Sequence, residues 1–197
     1  SFSVPTGDFG DIYAGYLAKH MGLPIDQLVV ATNENDILHR FISNNDYSAT
    51  QLSKTYSPSM DILVSSNFER YLFDMFGRDA KQLTDFMQRF GKEGLSVSEE
   101  QWQQVQAMFD SASVNDDKTC QVIAEVRQAT GKLLDPHTAV GVESARIVRR
   151  SQDVPMVTLA TAHPAKFGDA ITAAGLDRPD WRAHLADVCE REWRCEW

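Results

Sequence analysis

The segment from Val4 to Asp11 (VPTGDFGD) joins an apolar, strand-like stretch to a helix-like one through a turn in which two glycines flank an aromatic residue. A helix that begins near Asp11 would direct its free backbone N–H groups and the positive end of its dipole into this turn. Such an arrangement is typical of a loop that cradles a phosphate group. The segment has no lysine of the Walker type and lacks the third glycine of a dinucleotide-binding motif, which argues against nucleoside triphosphates and NAD.

Two acidic residues lie in this glycine loop, which we define as residues 7–11. Asp8 and Asp11 bring negative charge to a place where a phosphate would also be negative. A phosphate site therefore requires that their carboxylates point away from it or cap the helix. The spacing alone leaves two interpretations open, a phosphate cradle and an ordinary tight connection between a strand and a helix.

The glycine loop belongs to a predicted strand–helix–strand unit. We expect a strand over 2–5, a helix over about 11–21 that ends at Gly22, and a buried strand over 28–32. Parallel strands of such a unit end at the same edge of a sheet, where ligands bind. The glycine loop and segment 33–36 are therefore predicted to share that edge.

The middle of the chain has the pattern of helices. Segment 44–58 predicts a long loop, and 66–150 is predicted to be helical throughout. Local signals within it are a capping box at Ser98, an N-cap at Asp116 or Asp117, and Asp135 followed by Pro136 at a helix start. One predicted helical face there consists of Trp102, Val105, Met108 and Phe109.

The sequence of residues 151–197 predicts an apolar strand over 156–160, a helix that Pro164 opens, and an amphipathic helix over 180–197. The fold class is α/β, a partial, doubly wound parallel sheet with a helical insertion. Residues 1–65 would form the phosphate-binding part, 66–150 the mostly helical insertion, and 151–197 the strand and helices that complete the same domain.

Composition excludes several classes of function. A net charge of −9 and a pI of about 5.0 argue against binding to nucleic acid or to anionic membranes. Three cysteines suit a reducing, cytoplasmic environment better than a disulfide framework, and helix packing explains Cys189 and Cys195 better than a metal site does. The chain opens in the middle of a strand pattern without an initiator methionine, so we expect a fragment of a longer polypeptide.

A second candidate segment follows the predicted strand 156–160. Thr161 could project its hydroxyl into a site at the sheet edge, or it could serve as a helix cap or turn residue. His163 precedes a proline and fits a structural function, as does His137 at a helix start. Lys166 suits a solvated helix position, and it also lies near enough to the edge to meet an anionic substrate.

Taken together, four segments resemble the threonine synthase family, pyridoxal-phosphate enzymes of the fold group that includes the tryptophan synthase β-subunit. In chain order they are 4–11 (VPTGDFGD), 30–36 (VATNEND), 134–141 (LDPHTAVG) and 160–167 (ATAHPAKF). Residues 57–61 (SPSMD) are a weaker match. The segments follow the family's order and span most of the chain, which makes them far more specific together than the glycine loop is alone.

The resemblance implies a cofactor and a reaction. The glycine loop would hold the phosphate of pyridoxal 5′-phosphate, and the hydroxyl of Thr161 would bond to its pyridine nitrogen. The cofactor-binding residues that the resemblance implies are Gly7, Asp8, Phe9, Gly10, Asp11 and Thr161. The substrate would be O-phospho-L-homoserine, which the family converts with water to L-threonine and phosphate. Candidates for substrate contact are Asn33, His163 and Lys166.

Two departures from the family accompany the resemblance. Asp8 stands where the family usually has asparagine, and none of the seven lysines lies in the family's Schiff-base motif. We therefore expect that lysine in a missing N-terminal part, no catalytic residue here, and no turnover by these 197 residues alone. Two alternatives remain: another lyase of the same fold group, such as a dehydratase or a β-replacing synthase, and a non-catalytic phosphate-binding homologue.

Overall fold

The computed structural model describes residues 1–180 and Arg182, and the amphipathic helix predicted over 180–197 lies almost wholly outside them. Within the described part, the centre is a parallel sheet of four strands in the order β3-β2-β1-β4. The strands are β1 (Phe2–Pro5), β2 (Leu28–Thr32), β3 (Phe109–Ser113) and β4 (Val157–Thr158). None of the helices in this part is long and apolar enough to cross a membrane.

The predicted strand–helix–strand unit is confirmed. β1 and β2 pair in parallel with Phe2 opposite Leu28, and α1 (Gly10–His20) connects them. The helix begins one residue earlier than predicted, and Gly22 follows it with a φ of 102°, a conformation that favours glycine. β2 is buried along its whole length, which explains its continuous apolar sequence.

Seven further helices surround the sheet in the described part. They are α2 (Ile37–Asn44), α3 (Phe68–Met75), α4 (Ala80–Arg89), α5 (Glu99–Met108), α6 (Asp116–Thr130), α7 (Pro136–Val148) and α8 (Gly168–Ala173). Short 3₁₀ turns lie at Pro58–Met60 and Pro164–Lys166, so Pro164 opens a turn rather than the helix itself. The capping box at Ser98 and the Asp135 cap of α7 are confirmed.

The prediction of continuous helix over 66–150 is wrong at β3. Phe109 does not extend the face of α5; it opens an edge strand that pairs with β2 from Leu28 to Thr32. Its sequence, FDSAS, alternates only weakly and contains three polar residues, so pairing with β2 rather than local preference determines its conformation. The cap of α6 is also corrected, because Asn115 accepts from the Lys118 amide at 2.9 Å, whereas Asp116 accepts from the Tyr56 amide at 3.1 Å.

Helix α7 crosses the sheet at very close range. A Cβ on Gly141 would lie 2.8 Å from Cγ2 of Thr158 and 3.1 Å from Cγ of Pro5, and the Gly141 carbonyl accepts from the Ser3 hydroxyl at 2.7 Å. At the far end of α7 the Val148 carbonyl accepts from Gln27, which precedes β2. The first turn of α7 therefore lies at the carboxyl edge of the sheet.

Candidate functional site

A cavity of about 210 Å³ lies at the carboxyl edge of the sheet. Four separate segments form its wall: the glycine loop, the 3₁₀ turn after Ser57, the first turn of α7 and the segment after β4. The lining residues are Pro5, Gly7, Asp8, Asp11, Ser59, Met60, His137, Thr161 and Ala162. The structure therefore brings Gly7, Asp8, Asp11 and Thr161 together, although about 150 residues of sequence separate Thr161 from the loop.

The glycine loop has its carbonyl groups engaged and its amides free. The Gly7 carbonyl accepts from the Ser65 hydroxyl at 2.9 Å, and the Asp8 carbonyl accepts from the Asn67 amide at 2.8 Å. Within residues 1–180, the backbone N–H groups of Gly7, Asp8 and Phe9 find no acceptor. Three consecutive free donors at the start of α1 form a site suited to an anion.

The Asp8 side chain accepts a backbone hydrogen bond at the start of α1, whose N-cap residue is Phe9. Its Oδ1 accepts from the Gly10 amide at 3.2 Å, and the residue is exposed. Asp11 lies exposed in the first turn of α1, where the helix dipole favours a carboxylate. Because the Gly10 amide already donates to Asp8, it is not free to bind a ligand.

Phe9 anchors the loop through its ring and would offer a ligand only its backbone. Its φ of 71° lies in the left-handed region, which costs a non-glycine residue about 1 kcal/mol or more. The ring is 1% exposed and packs edge-on against Phe68 at 5.0 Å and Phe109 at 5.5 Å. This aromatic packing offsets the backbone strain.

Gly7 is required by a close approach of another segment. A Cβ at this position would lie 2.6 Å from the carbonyl oxygen of Ser59 and 3.4 Å from Cα of Met60. At Gly10 the nearest atoms would be 3.5 Å away, on Asn67 and Asp8. The two glycines of the motif therefore have different functions, and only the first is needed for space.

His137 connects the Ser59 wall to the start of α7. Its Nδ1 lies 2.9 Å from Oδ1 of Asp135, and its Nε2 accepts from the Ser59 amide at 3.2 Å. Burial raises the pKa of Asp135, but hydrogen bonds from His137 and Thr138 outweigh burial and hold that pKa below its ordinary value. Asp135 is therefore ionised and can only accept.

Asn33 lies outside the cavity lining, in a buried polar network behind it. Its Nδ2, which carries two N–H donors, lies 2.9 Å from Oγ1 of Thr55, 3.0 Å from Oγ of Ser57 and 2.8 Å from Oδ1 of Asp61. Asn35 donates to the same carboxylate oxygen at 2.9 Å. These contacts give Asn33 a structural function, and its contact with a substrate stays a prediction.

The segment after β4 brings three candidates to the edge, of which one lines the cavity. The Thr161 hydroxyl is exposed and has no hydrogen-bond partner in the described part of the chain. His163 Nδ1 accepts from the Ala165 amide at 3.1 Å and caps the 3₁₀ turn, and Lys166 is exposed. Among the described residues, no lysine lines the cavity.

Ser59, Ser65 and His137 were not predicted as site residues. Ser59 and His137 both lie in segments that carry the family resemblance, 57–61 and 134–141, so that resemblance was the available signal. Ser65 belongs to no motif, and only the folded chain shows its bond to the Gly7 carbonyl.

Comparisons with known proteins show which sequences this chain is similar to. A family model described as threonine synthase, C-terminal, matches residues 138–197. The threonine synthase of Pseudomonas aeruginosa is 57% identical over 197 residues, which are 99% of this chain and 42% of that protein.

Solved structures extend the likeness to the fold. The crystal structure of threonine synthase with bound pyridoxal phosphate from Brucella melitensis superimposes with a TM-score of 0.88 at 48% identity, over 97% of this chain and 41% of that one. Threonine synthase from yeast has a TM-score of 0.84 at 34% identity, with 97% and 42% covered. The chain thus spans about two-fifths of the length of these relatives.

Proposed function

We propose, on the premise that this chain is similar in sequence and fold to the C-terminal part of threonine synthases, that it forms the phosphate-binding part of a pyridoxal-phosphate enzyme. The complete protein would convert O-phospho-L-homoserine and water to L-threonine and phosphate. Because the chain spans about two-fifths of its relatives, the remaining parts of the site would come from residues outside it.

One observation carries the proposal: Gly7 and Asp8, whose amides have no acceptor within residues 1–180, line the same cavity as Thr161, whose hydroxyl has no partner there either. The amides and the start of α1 would bind the dianionic phosphate of the cofactor. The hydroxyl would meet the pyridine nitrogen. The crowding at Gly7 adds a second argument, since a side chain there would displace the wall that faces the loop.

Pyridoxal phosphate, when bound, supplies an electron sink for negative charge that develops on substrate carbon atoms. Thr161 would hold the ring orientation with a neutral hydroxyl, which does not force protonation of the ring nitrogen as a carboxylate would. The Phe9 ring would keep the loop amides fixed in direction before the cofactor arrives, so little ordering cost remains at binding.

The lysine that would bind the cofactor's aldehyde is proposed to lie outside this chain. The cavity lining contains no lysine among the described residues, and the seven lysines of the sequence lie outside the family's lysine motif. We therefore expect that the 197 residues alone have no turnover, while the complete polypeptide does.

The test uses the complete polypeptide that carries this chain, with Thr161→Val and Thr161→Ser as a matched pair. Release of phosphate and formation of L-threonine from O-phospho-L-homoserine are measured together. Valine keeps the shape and removes the hydroxyl, so we expect a loss of about tenfold or more in kcat/KM, whereas serine keeps most of the rate.

Each alternative has its own result in this assay. Formation of a keto acid from L-threonine or L-serine, without threonine synthesis, would identify a dehydratase of the same fold group. Binding of pyridoxal phosphate without any turnover would identify a non-catalytic homologue. Equal rates for the valine and serine variants would contradict the function given to Thr161.

A further inference from the structure

His137 connects three segments of the chain. It lies in the first turn of α7, its Nε2 accepts from the Ser59 amide, and its ring packs edge-on against Phe167, after the 3₁₀ turn at Pro164–Lys166, with the ring centroids 4.7 Å apart. The side chain is almost fully buried, yet the residue lines the cavity. No other lining residue in the described part bonds both to the α7 cap and to the Ser59 segment.

The two partners of the ring determine its tautomer. Asp135 is an ionised acceptor, so Nδ1 carries the proton and donates to it. The Ser59 N–H is a donor, so Nε2 must be an unprotonated acceptor. His137 is therefore a neutral imidazole whose two nitrogens are both engaged, and Asp135 fixes the ring's direction while it caps the helix.

The Nε2 bond acts on the glycine loop through the backbone of Ser59. The Ser59 N–H, in the peptide unit shared with Pro58, is held by His137, and the Ser59 carbonyl, in the next unit, lies against Gly7, where a Cβ would come within 2.6 Å of the oxygen. The second unit is held by the Met60 N–H, which donates to the Ser57 carbonyl at 2.9 Å. The two units meet at the Ser59 Cα, so release of the Ser59 amide would let that Cα shift and carry the carbonyl away from the loop. The loop would then lose the wall that keeps its free amides together.

We propose that His137 is a positioning residue for the phosphate group of the cofactor, and that it acts through its Nε2 bond to the Ser59 amide. This inference rests on the proposed function. The Nδ1 bond to Asp135 orients the ring, and the Nε2 bond to Ser59 shapes the phosphate cradle. The effects of the two hydrogen bonds can therefore be measured separately.

Two amide substitutions separate the bonds. In His137→Gln, the side-chain oxygen reaches the position of Nε2 and accepts from Ser59, while the bond to Asp135 is lost. In His137→Asn, the side-chain nitrogen occupies the position of Nδ1 and donates to Asp135, while the bond to Ser59 is lost. Both variants are made in the complete polypeptide.

The measured quantity is the ratio of dissociation constants for pyridoxal and pyridoxal 5′-phosphate, obtained by calorimetric titration. The change in this ratio from the native protein to a variant isolates the phosphate contribution, because the chemistry of each free compound is the same in every titration. We expect His137→Asn to lower the ratio by about tenfold and His137→Gln to leave it within about twofold of the native value. Thermal unfolding without cofactor is recorded for each variant.

The outcomes separate the inference from the function on which it rests. Equal loss in both variants, or a larger loss in His137→Gln, would overturn the inference and leave the proposed function standing. A native polypeptide with no preference for the phosphorylated compound would overturn both. Should His137→Asn fail to fold, His137→Ala takes its place beside His137→Gln: a ratio lowered tenfold only in the alanine variant supports the inference, and equal ratios in the two variants overturn it.

Discussion

Replacing Gly7 with alanine should weaken phosphate binding far more than the same change at Gly10. A Cβ on Gly7 would lie 2.6 Å from the Ser59 carbonyl oxygen, which would have to retreat by about 0.8 Å to reach a contact of 3.4 Å. The Ser59 amide is held by His137, and the Gly7 carbonyl is held by Ser65 at 2.9 Å, so neither side yields freely. Overpacking of this kind costs about 1–3 kcal/mol.

The effect on the ligand follows from the same displacement. A hydrogen bond to a charged group contributes about 1.5–3 kcal/mol, so misdirecting one loop amide lowers affinity by about ten- to a hundredfold. At Gly10 the added Cβ meets atoms 3.5 Å away, an ordinary contact, and alanine favours the first turn of α1. We therefore expect Gly10→Ala to bind like the native protein, with equal or slightly higher stability.

The assay is a titration of the complete polypeptide with pyridoxal 5′-phosphate and, separately, with pyridoxal. Urea unfolding without cofactor gives the change in stability of each variant. We expect Gly7→Ala to lose affinity for the phosphorylated compound while its affinity for pyridoxal changes little. Native affinity of Gly7→Ala for pyridoxal 5′-phosphate, or an equal loss of that affinity in Gly10→Ala, would refute this reasoning about the two glycines.

Three further predictions concern charge, packing and pH. Asp8→Asn should raise affinity for pyridoxal 5′-phosphate severalfold in the same titration, most at low salt, because it removes a like charge while an amide oxygen still caps Gly10. Gly141→Ala should lower the free energy of unfolding in urea by about 1–3 kcal/mol through its clash with the sheet, whereas Gly94→Ala, whose Cβ would meet only Ser48 at 3.9 Å, should change it little. The pKa of Asp135 is lowered in the fold, so its stabilisation is present above the ordinary value of about 3.9 and is lost as pH falls through the folded value. The difference in unfolding free energy between the native protein and Asp135→Asn should therefore shrink between pH 5 and pH 2, and a constant difference would contradict this account.

The part of the fold that local signals determine could be predicted from the sequence. β1, α1 and β2 follow from a buried apolar strand, a helix and Gly22, and the α7 start follows from Asp135 and Pro136. β3 could not be predicted, because its polar sequence acquires strand conformation only by pairing with β2.

The same distinction applies to the site. The glycine loop carries its own donors, whereas the place of Thr161 after a predicted strand leaves its function open and only the family resemblance implies cofactor binding; the loop and Thr161 line one cavity. The groups that direct those donors lie far along the chain, at Ser59, Ser65 and His137. Their contribution depends on distances between segments, which no local pattern contains.

Because distant segments shape the phosphate site, binding of the cofactor and folding of the chain are linked. The amides of the glycine loop converge only when Ser65 and Asn67 donate to the loop carbonyls and the Ser59 backbone packs beside the loop. The phosphate site therefore exists only in the folded state. A ligand that binds only the folded state stabilises it by about 2.7 kcal/mol at a hundredfold excess over its dissociation constant. Because Gly7→Ala and His137→Asn act on this convergence, they should reduce the stabilisation by cofactor with the logarithm of the affinity, by about 1.4 kcal/mol for each tenfold loss. Gly141→Ala acts on packing away from the loop, so it should lower the stability of the free protein while the increment from pyridoxal 5′-phosphate stays near the native value.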